Sequence, residues 1–204
     1  KIRLSKINRK AIKINANTYF DVSKFYARGL HIGFNKILDE FSLVLLVRDP
    51  LLNMRSFLNR NKDFFLDNPS PEGLNNILKM SSKNFSKGEF YLWSWSEIFL
   101  RYIRMSHSKK VKKSVIIKND DLRDSAKISK VFDYLNVNYK PIDKINIVNT
   151  NVELGLESTK VKKEDILVMK KFISRIPSKY LNDLKYMIDS LKKHEKIFKE
   201  DKNA

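Results

Sequence analysis

The sequence predicts an α/β domain in which a parallel sheet is flanked by helices, with a helical C-terminal part. Two observations carry this reading. Phe41-Ser42-Leu43-Val44-Leu45-Leu46-Val47 and Ser114-Val115-Ile116-Ile117 are short and nearly all apolar, the pattern of parallel strands buried on both faces. Each is followed by an acidic turn and then by a helical pattern, and strands that alternate with helices build parallel sheets. With 204 residues, 42% hydrophobic and 11% aromatic, and five glycines and five prolines, the chain reads as one domain, residues 1–204. It is long enough to bury a sizeable core and carries no low-complexity segment.

Taken in order, Ala11-Ile12-Lys13-Ile14-Asn15 alternates as a short strand does. From Ser23 to Glu40 the apolar residues Phe25, Leu30, Phe34, Ile37 and Leu38 fall mostly at helical spacing, so a helix is expected there despite Gly29 and Gly33. After the first apolar strand, Asp49 is a good N-cap and Pro50 a favoured first residue, which starts a helix that runs to about Asn59. The helix start would also offer backbone N–H groups to an anion at the carboxyl end of a strand, where ligands gather in open α/β sheets.

Residues 61–72 read as a surface loop, punctuated by Asn68-Pro69-Ser70-Pro71. Helices are expected from about Glu72 to Asn84 and from about Gly88 to Met105. The second sets Trp95, Phe99, Tyr102 and Met105 at helical spacing, a stripe more often core than substrate wall. Beyond the basic run Lys109 to Lys113 and the second strand, a helix spans Ser125 to Leu135. Two charged amphipathic helices, separated near Ile176-Pro177, occupy about Lys162 to Phe198.

Charge narrows the partners. Lys and Arg number 41 against 23 Asp and Glu, a formal +18, which attracts nucleic acid, acidic membranes or small polyanions such as nucleotides and sulfated sugars. Part of the excess fits a lysine- and asparagine-rich composition. Zero cysteines and three scattered histidines, His31, His107 and His194, remove disulfides and thiolate sites and leave no metal expected. The longest apolar runs are far below the roughly 20 residues of a membrane span. No signal-peptide pattern is present, so a cytoplasmic location is expected unless an upstream signal or anchor precedes Lys1.

Three segments resemble the sulfotransferase family. Leu45-Leu46-Val47-Arg48-Asp49-Pro50-Leu51-Leu52-Asn53-Met54-Arg55-Ser56 resembles the family's R-[DN]-P-x-x-x-x-x-S element, whose arginine and serine bind the 3′-phosphate of 3′-phosphoadenylyl sulfate (PAPS). The resemblance gives that role to Arg48 and Ser56. The chemistry suits them, since arginine offers a permanently charged planar fork and serine a compact donor. In an ideal helix Ser56 lies roughly 9 Å along the axis from Pro50, so the convergence with Arg48 is implied by the family alone. Taken alone, the same turn reads as a strand-to-helix connection in which Asp49 caps and Arg48 is exposed.

Asp21-Val22-Ser23-Lys24 is similar to the D-x-S-K element of many bacterial members. It makes Lys24 the catalytic candidate, an electrostatic stabiliser of the bridging oxygen. Where cytosolic members place a histidine base, this chain has Tyr26, a poor proton acceptor at neutral pH. His31 is a further candidate base, although a lone histidine on a helix is more often structural. Val115-Ile116-Ile117-Lys118-Asn119-Asp120-Asp121-Leu122 resembles the family's later strand and Y-E-D-L turn, its acids reading as a helix entry. Asn149-Thr150-Asn151 is faintly similar to a loop near the nucleotide in some members.

The resemblance covers roughly Ile12 to Leu135 and implies a three-layer, P-loop-like fold. It implies transfer of a sulfuryl group from PAPS to a hydroxyl or amine acceptor, a carbohydrate among the candidates, without metal. The family's glycine-rich phosphate loop is not found in these residues. The expectation is therefore an N-terminally incomplete domain lacking its first strand, loop and helix, and inactive in that form. Two other classes stay open: a P-loop nucleotide or sugar kinase, and a basic nucleic-acid-binding protein. No helix-turn-helix spacing, zinc pattern or aromatic RNA-binding signature supports the latter, so nucleic acid is not the expected partner.

Overall fold

The computed structural model describes residue 18 and residues 26–60, 70–138, 155–156 and 159–200. Within them the fold is α/β, a small parallel sheet flanked by helices. Strand β1 (Phe41–Val47) pairs in parallel with β2 (Val111–Lys118), with Leu45 opposite Ile116 and Val47 opposite Lys118. Around them lie α1 (His31–Ile37), α2 (Pro50–Asn59), α3 (Lys87–Ser106), α4 (Ser125–Leu135), α5 (Lys163–Arg175) and α6 (Lys185–Glu200). The expected strand at Ala11–Asn15, the loop at 61–69 and Asn149–Asn151 fall outside the described residues.

Helix α3 organises the core. Ser86 and Glu89 start it as a capping box, the serine side chain accepting from the Glu89 N–H and the glutamate accepting from the Ser86 N–H. Tyr91, Leu92, Trp93, Trp95, Phe99, Leu100 and Tyr102 are all buried along it, so the aromatic stripe is core. Helices α2 and α5 pack on α3, and α6 packs on both of them. Gly88 allows this close approach: a Cβ there would sit 3.0 Å from Val168 Cγ1 and 3.1 Å from Met54 Sδ. The junction is also tied by an ion pair between Arg55 of α2 and buried Asp165 of α5, with the Arg55 Nε–H donating over 2.8 Å. Tyr102 joins helix to sheet, its hydroxyl lying 2.8 Å from the Val115 carbonyl and 3.2 Å from that of Leu43.

Three expectations change. The strands are not buried on both faces: Leu46 is 52% exposed, Ile116 is 42% exposed, and no residue of β2 is fully buried. Lys112 and Lys113, expected before β2, belong to it; Lys112 pairs with Glu40 and Lys113 donates to the Tyr134 carbonyl. Charged side chains of this kind suit a strand that is not enclosed.

The helix expected over Ser23–Glu40 is divided. The chain kinks within Tyr26–Leu30 and α1 follows, because Gly29 takes φ 146, ψ −31, a backbone state open to glycine and costly for other residues.

No helix forms over Glu72–Asn84. The Ile77 and Leu78 N–H groups donate to the buried Glu97 carboxylate and the Ser82 N–H donates to Glu72. The Leu78 carbonyl accepts from Trp93 Nε1 over 2.9 Å and the Ile77 carbonyl from the Tyr180 hydroxyl over 2.6 Å. Distant side chains take the backbone groups that an i→i−4 ladder would have used.

Candidate functional site at the carboxyl end of the sheet

The register that sets Val47 opposite Lys118 brings the exits of β1 and β2 to one edge. Arg48 follows β1 directly and is half-buried. Asp49 then turns the chain into α2, with Pro50 as its first residue. Asp49 Oδ1 accepts from the Leu51 and Leu52 N–H groups at 3.0 Å each, and the Asp49 carbonyl accepts from Asn53 N at 2.9 Å. The start of α2 is therefore internally satisfied, which corrects the expectation that its N–H groups would serve an anion. An anion brought to this edge would meet side chains rather than these backbone groups.

Asp49 is engaged a second time. Its Oδ2 accepts from the Ser190 hydroxyl at 2.8 Å and lies 3.3 Å from His194 Nε2, both on α6 and both buried. Burial pushes the Asp49 pKa up, but His194, the Leu52 N–H and Ser190 together hold it below the ordinary carboxylate value.

Arg48 and Arg28 both act on Tyr91, which is buried near the start of α3. Burial pushes that phenol far above its ordinary pKa, while the two guanidinium charges pull it the other way. Burial in turn lowers the Arg28 pKa, against the opposing influence of Tyr91. The Tyr91 ring packs on Phe57 of α2 with ring centroids 4.8 Å apart.

Ser56, the other expected phosphate ligand, is 6% exposed within α2, roughly 9 Å along the axis from Pro50. Lys24 lies outside the described residues. On β2, Lys118 holds its ammonium 5.6 Å from the Tyr186 ring centroid. Asn119–Arg123 forms a 3₁₀ turn, in which Asp121 pairs with Lys127 over 2.6 Å. Asp124 is the residue that caps α4, accepting from the Lys127 N–H at 3.1 Å. Of the two acids expected to form the helix entry, Asp121 reaches α4 through Lys127, while the cap itself is supplied by Asp124, beyond the segment that carried the expectation.

A separate cleft of about 270 Å³ lies at the opposite, amino end of β1, lined among others by Tyr26, His31, Phe41, Arg104 and Ser108. His31 Nδ1 stands 3.1 Å from the Tyr26 carbonyl, a contact that serves local structure. Seven strand residues at about 3.3 Å each separate this cleft from Arg48 by roughly 20 Å. Sequence reasoning missed Arg28, Tyr91 and the Ser190–His194 pair. Their connection to Arg48–Asp49 is made only in three dimensions, the α6 partners lying 141 and 145 positions along the chain.

No protein-family model, no curated protein and no solved structure matches the chain. No described helix is long and apolar enough to cross a membrane.

Proposed function

We propose that this chain is a sulfotransferase-like protein of the three-layer, P-loop-like class, using PAPS as sulfuryl donor and a hydroxyl or amine acceptor. One observation supports the reading above the others. The Arg48-Asp49-Pro50 turn stands at the carboxyl end of a parallel strand, the edge at which α/β sheets bind ligands.

In this reading Arg48 holds the 3′-phosphate through charge-assisted hydrogen bonds, with the Ser56 hydroxyl as the neutral donor. Asp49 directs the arginine by fixing the strand-to-helix turn. When bound, PAPS supplies the activated sulfuryl group: the acceptor oxygen or nitrogen bonds to sulfur as the bond from sulfur to the bridging oxygen breaks, adenosine 3′,5′-bisphosphate leaves with that bond's electron pair, and the acceptor's proton passes to water. Lys24 neutralises charge gathering on that bridging oxygen, and the site works by positioning and electrostatics, without metal.

Calorimetric titration with adenosine 3′,5′-bisphosphate, compared with adenosine 5′-monophosphate, tests the reading. The bisphosphate is expected to bind more tightly, and Arg48→Ala to remove about 1.5–3 kcal/mol of its affinity, the scale of a hydrogen bond to a charged group. Equal affinity for both nucleotides, or bisphosphate affinity unchanged in Arg48→Ala, overturns it. A preference for ATP with magnesium over the bisphosphate points instead to a kinase.

A further inference from the structure

We infer that Ser190 and His194 of α6 are positioning residues for Arg48, so that the C-terminal helix sets the geometry of the nucleotide-binding turn; the consequence for binding rests on the reading of Arg48 just given. An aspartate that only caps a helix is satisfied by the first N–H groups and by water. Asp49 has its cap complete through Oδ1, with Leu51 and Leu52 both at 3.0 Å. Its other oxygen takes two further contacts, from Ser190 and His194, which belong to a different helix.

Neither of those residues is needed for the cap. Each, however, is a polar group taken out of water, at 6% exposure for Ser190 and 7% for His194. Buried donors are kept where a partner compensates their desolvation, and a carboxylate held below its ordinary pKa is a strong one.

The consequence is geometric. With Oδ1 tied to α2 and Oδ2 tied to α6, the carboxylate plane is fixed in two directions, and with it the Asp49 backbone at φ −46, ψ 123. That torsion sets how the chain leaves β1, and Arg48 is the residue immediately before it. Removing the α6 contacts leaves Oδ1 within reach of its cap donors but lets the carboxylate swing, so the cap opens more often and the turn is freed to rotate. The guanidinium then samples several directions, and an anionic ligand must select one of them, which weakens its apparent affinity.

The test pairs two readouts across His194→Phe, His194→Gln and Ser190→Ala. His194→Phe keeps a ring but loses the donor; His194→Gln restores an N–H donor near the position of Nε2. One readout is amide hydrogen exchange at Leu51 and Leu52, taken relative to core amides of α3 so that global destabilisation cancels. The other is the Kd for adenosine 3′,5′-bisphosphate. His194→Phe is expected to speed the two amides and weaken nucleotide binding, each by about tenfold, the loss of one hydrogen bond to a charged group. His194→Gln is expected to stay within about twofold of the parent chain in both, and Ser190→Ala to fall between, carrying the test should His194→Phe not fold.

A folded His194→Phe or Ser190→Ala chain with parent exchange and parent Kd overturns the inference. So does a glutamine variant as impaired as the phenylalanine one. If the parent chain binds no adenosine 3′,5′-bisphosphate while the amides still respond as stated, the nucleotide reading fails and the control of the turn by α6 stands.

Discussion

Glu97→Gln is expected to be among the most damaging single changes in this fold, although it alters one atom. Glu97 is fully buried on α3. Its carboxylate accepts from Leu78 N at 2.8 Å, Ile77 N at 3.1 Å and Arg101 Nε at 2.7 Å. Arg101, also buried, donates onward to the Asn76 side chain and the Ala27 carbonyl, each at 3.1 Å. One carboxylate thus fixes α3, the irregular segment after residue 70 and, through Arg101, the turn before α1.

The glutamine variant leaves the Arg101 charge buried without its counter-ion and turns an amide N–H₂ toward backbone N–H donors. Breaking a buried pair in this way costs about 3–5 kcal/mol, a large share of the 5–15 kcal/mol that separates a typical domain from its unfolded state. Urea unfolding at neutral pH, comparing midpoints at unchanged slope, measures it. Adding Arg101→Met to Glu97→Gln removes the stranded charge, so the double variant is expected to lose less than the sum of the singles by about 1–3 kcal/mol. A loss below about 1 kcal/mol for Glu97→Gln alone would refute the reasoning, because it would mean that the pair contributes no more than a surface one.

Gly88→Val is expected to destabilise by about 1–3 kcal/mol through overpacking, since even a Cβ meets Val168 at 3.0 Å and Met54 at 3.1 Å; a loss under about 0.5 kcal/mol in denaturant titration contradicts that contact. Tyr102→Phe is expected to lose about 0.5–1.5 kcal/mol, because its hydroxyl serves carbonyls of both strands. Burial pushes the Tyr102 pKa up to about 12, so the folded chain keeps a proton the unfolded chain releases near pH 10. Its contribution is full below about pH 10 and is lost as pH rises through the folded value. Alkaline unfolding should be steeper in the parent chain than in Tyr102→Phe, and identical curves would remove the assignment. At the acid end, Asp49 and Glu89 both sit below the ordinary carboxylate range, burial raising each while hydrogen bonds lower them further. Their contribution is present above about pH 4 and is lost as pH falls through the folded values. Asp49→Asn should therefore flatten the acid limb of the stability profile, and an unchanged limb counts against the role given to that carboxylate.

Where local signals agreed with packing, the fold was legible in the sequence. β1, the start of α2 at Asp49-Pro50, α4 from Ser125 and the break between α5 and α6 near Ile176-Pro177 all stand where patterning and capping put them. Residues 72–84 misled because Leu74, Ile77 and Leu78 imitate a helical stripe. The partners that override it, Glu97, Trp93 and Tyr180, lie 15 to 103 positions away, beyond any local window. Burial of the strands was overestimated for a related reason: an apolar run announces a strand, while its enclosure depends on what packs over each face.

Of the expected site residues, Arg48 was found at the strand exit. Its setting was invisible, because Ser190 and His194 carry no motif and meet the turn at Asp49 through tertiary packing alone.

The central claim is that the side chain of Arg48 receives a nucleotide 3′-phosphate. Phosphorus NMR of adenosine 3′,5′-bisphosphate in the presence of the chain tests it most directly, because the two phosphates report separately. The 3′-phosphate resonance is expected to shift on binding, and that shift is expected to disappear in Arg48→Ala. A 3′ shift that persists in a folded Arg48→Ala chain, or a shift confined to the 5′-phosphate, contradicts the claim.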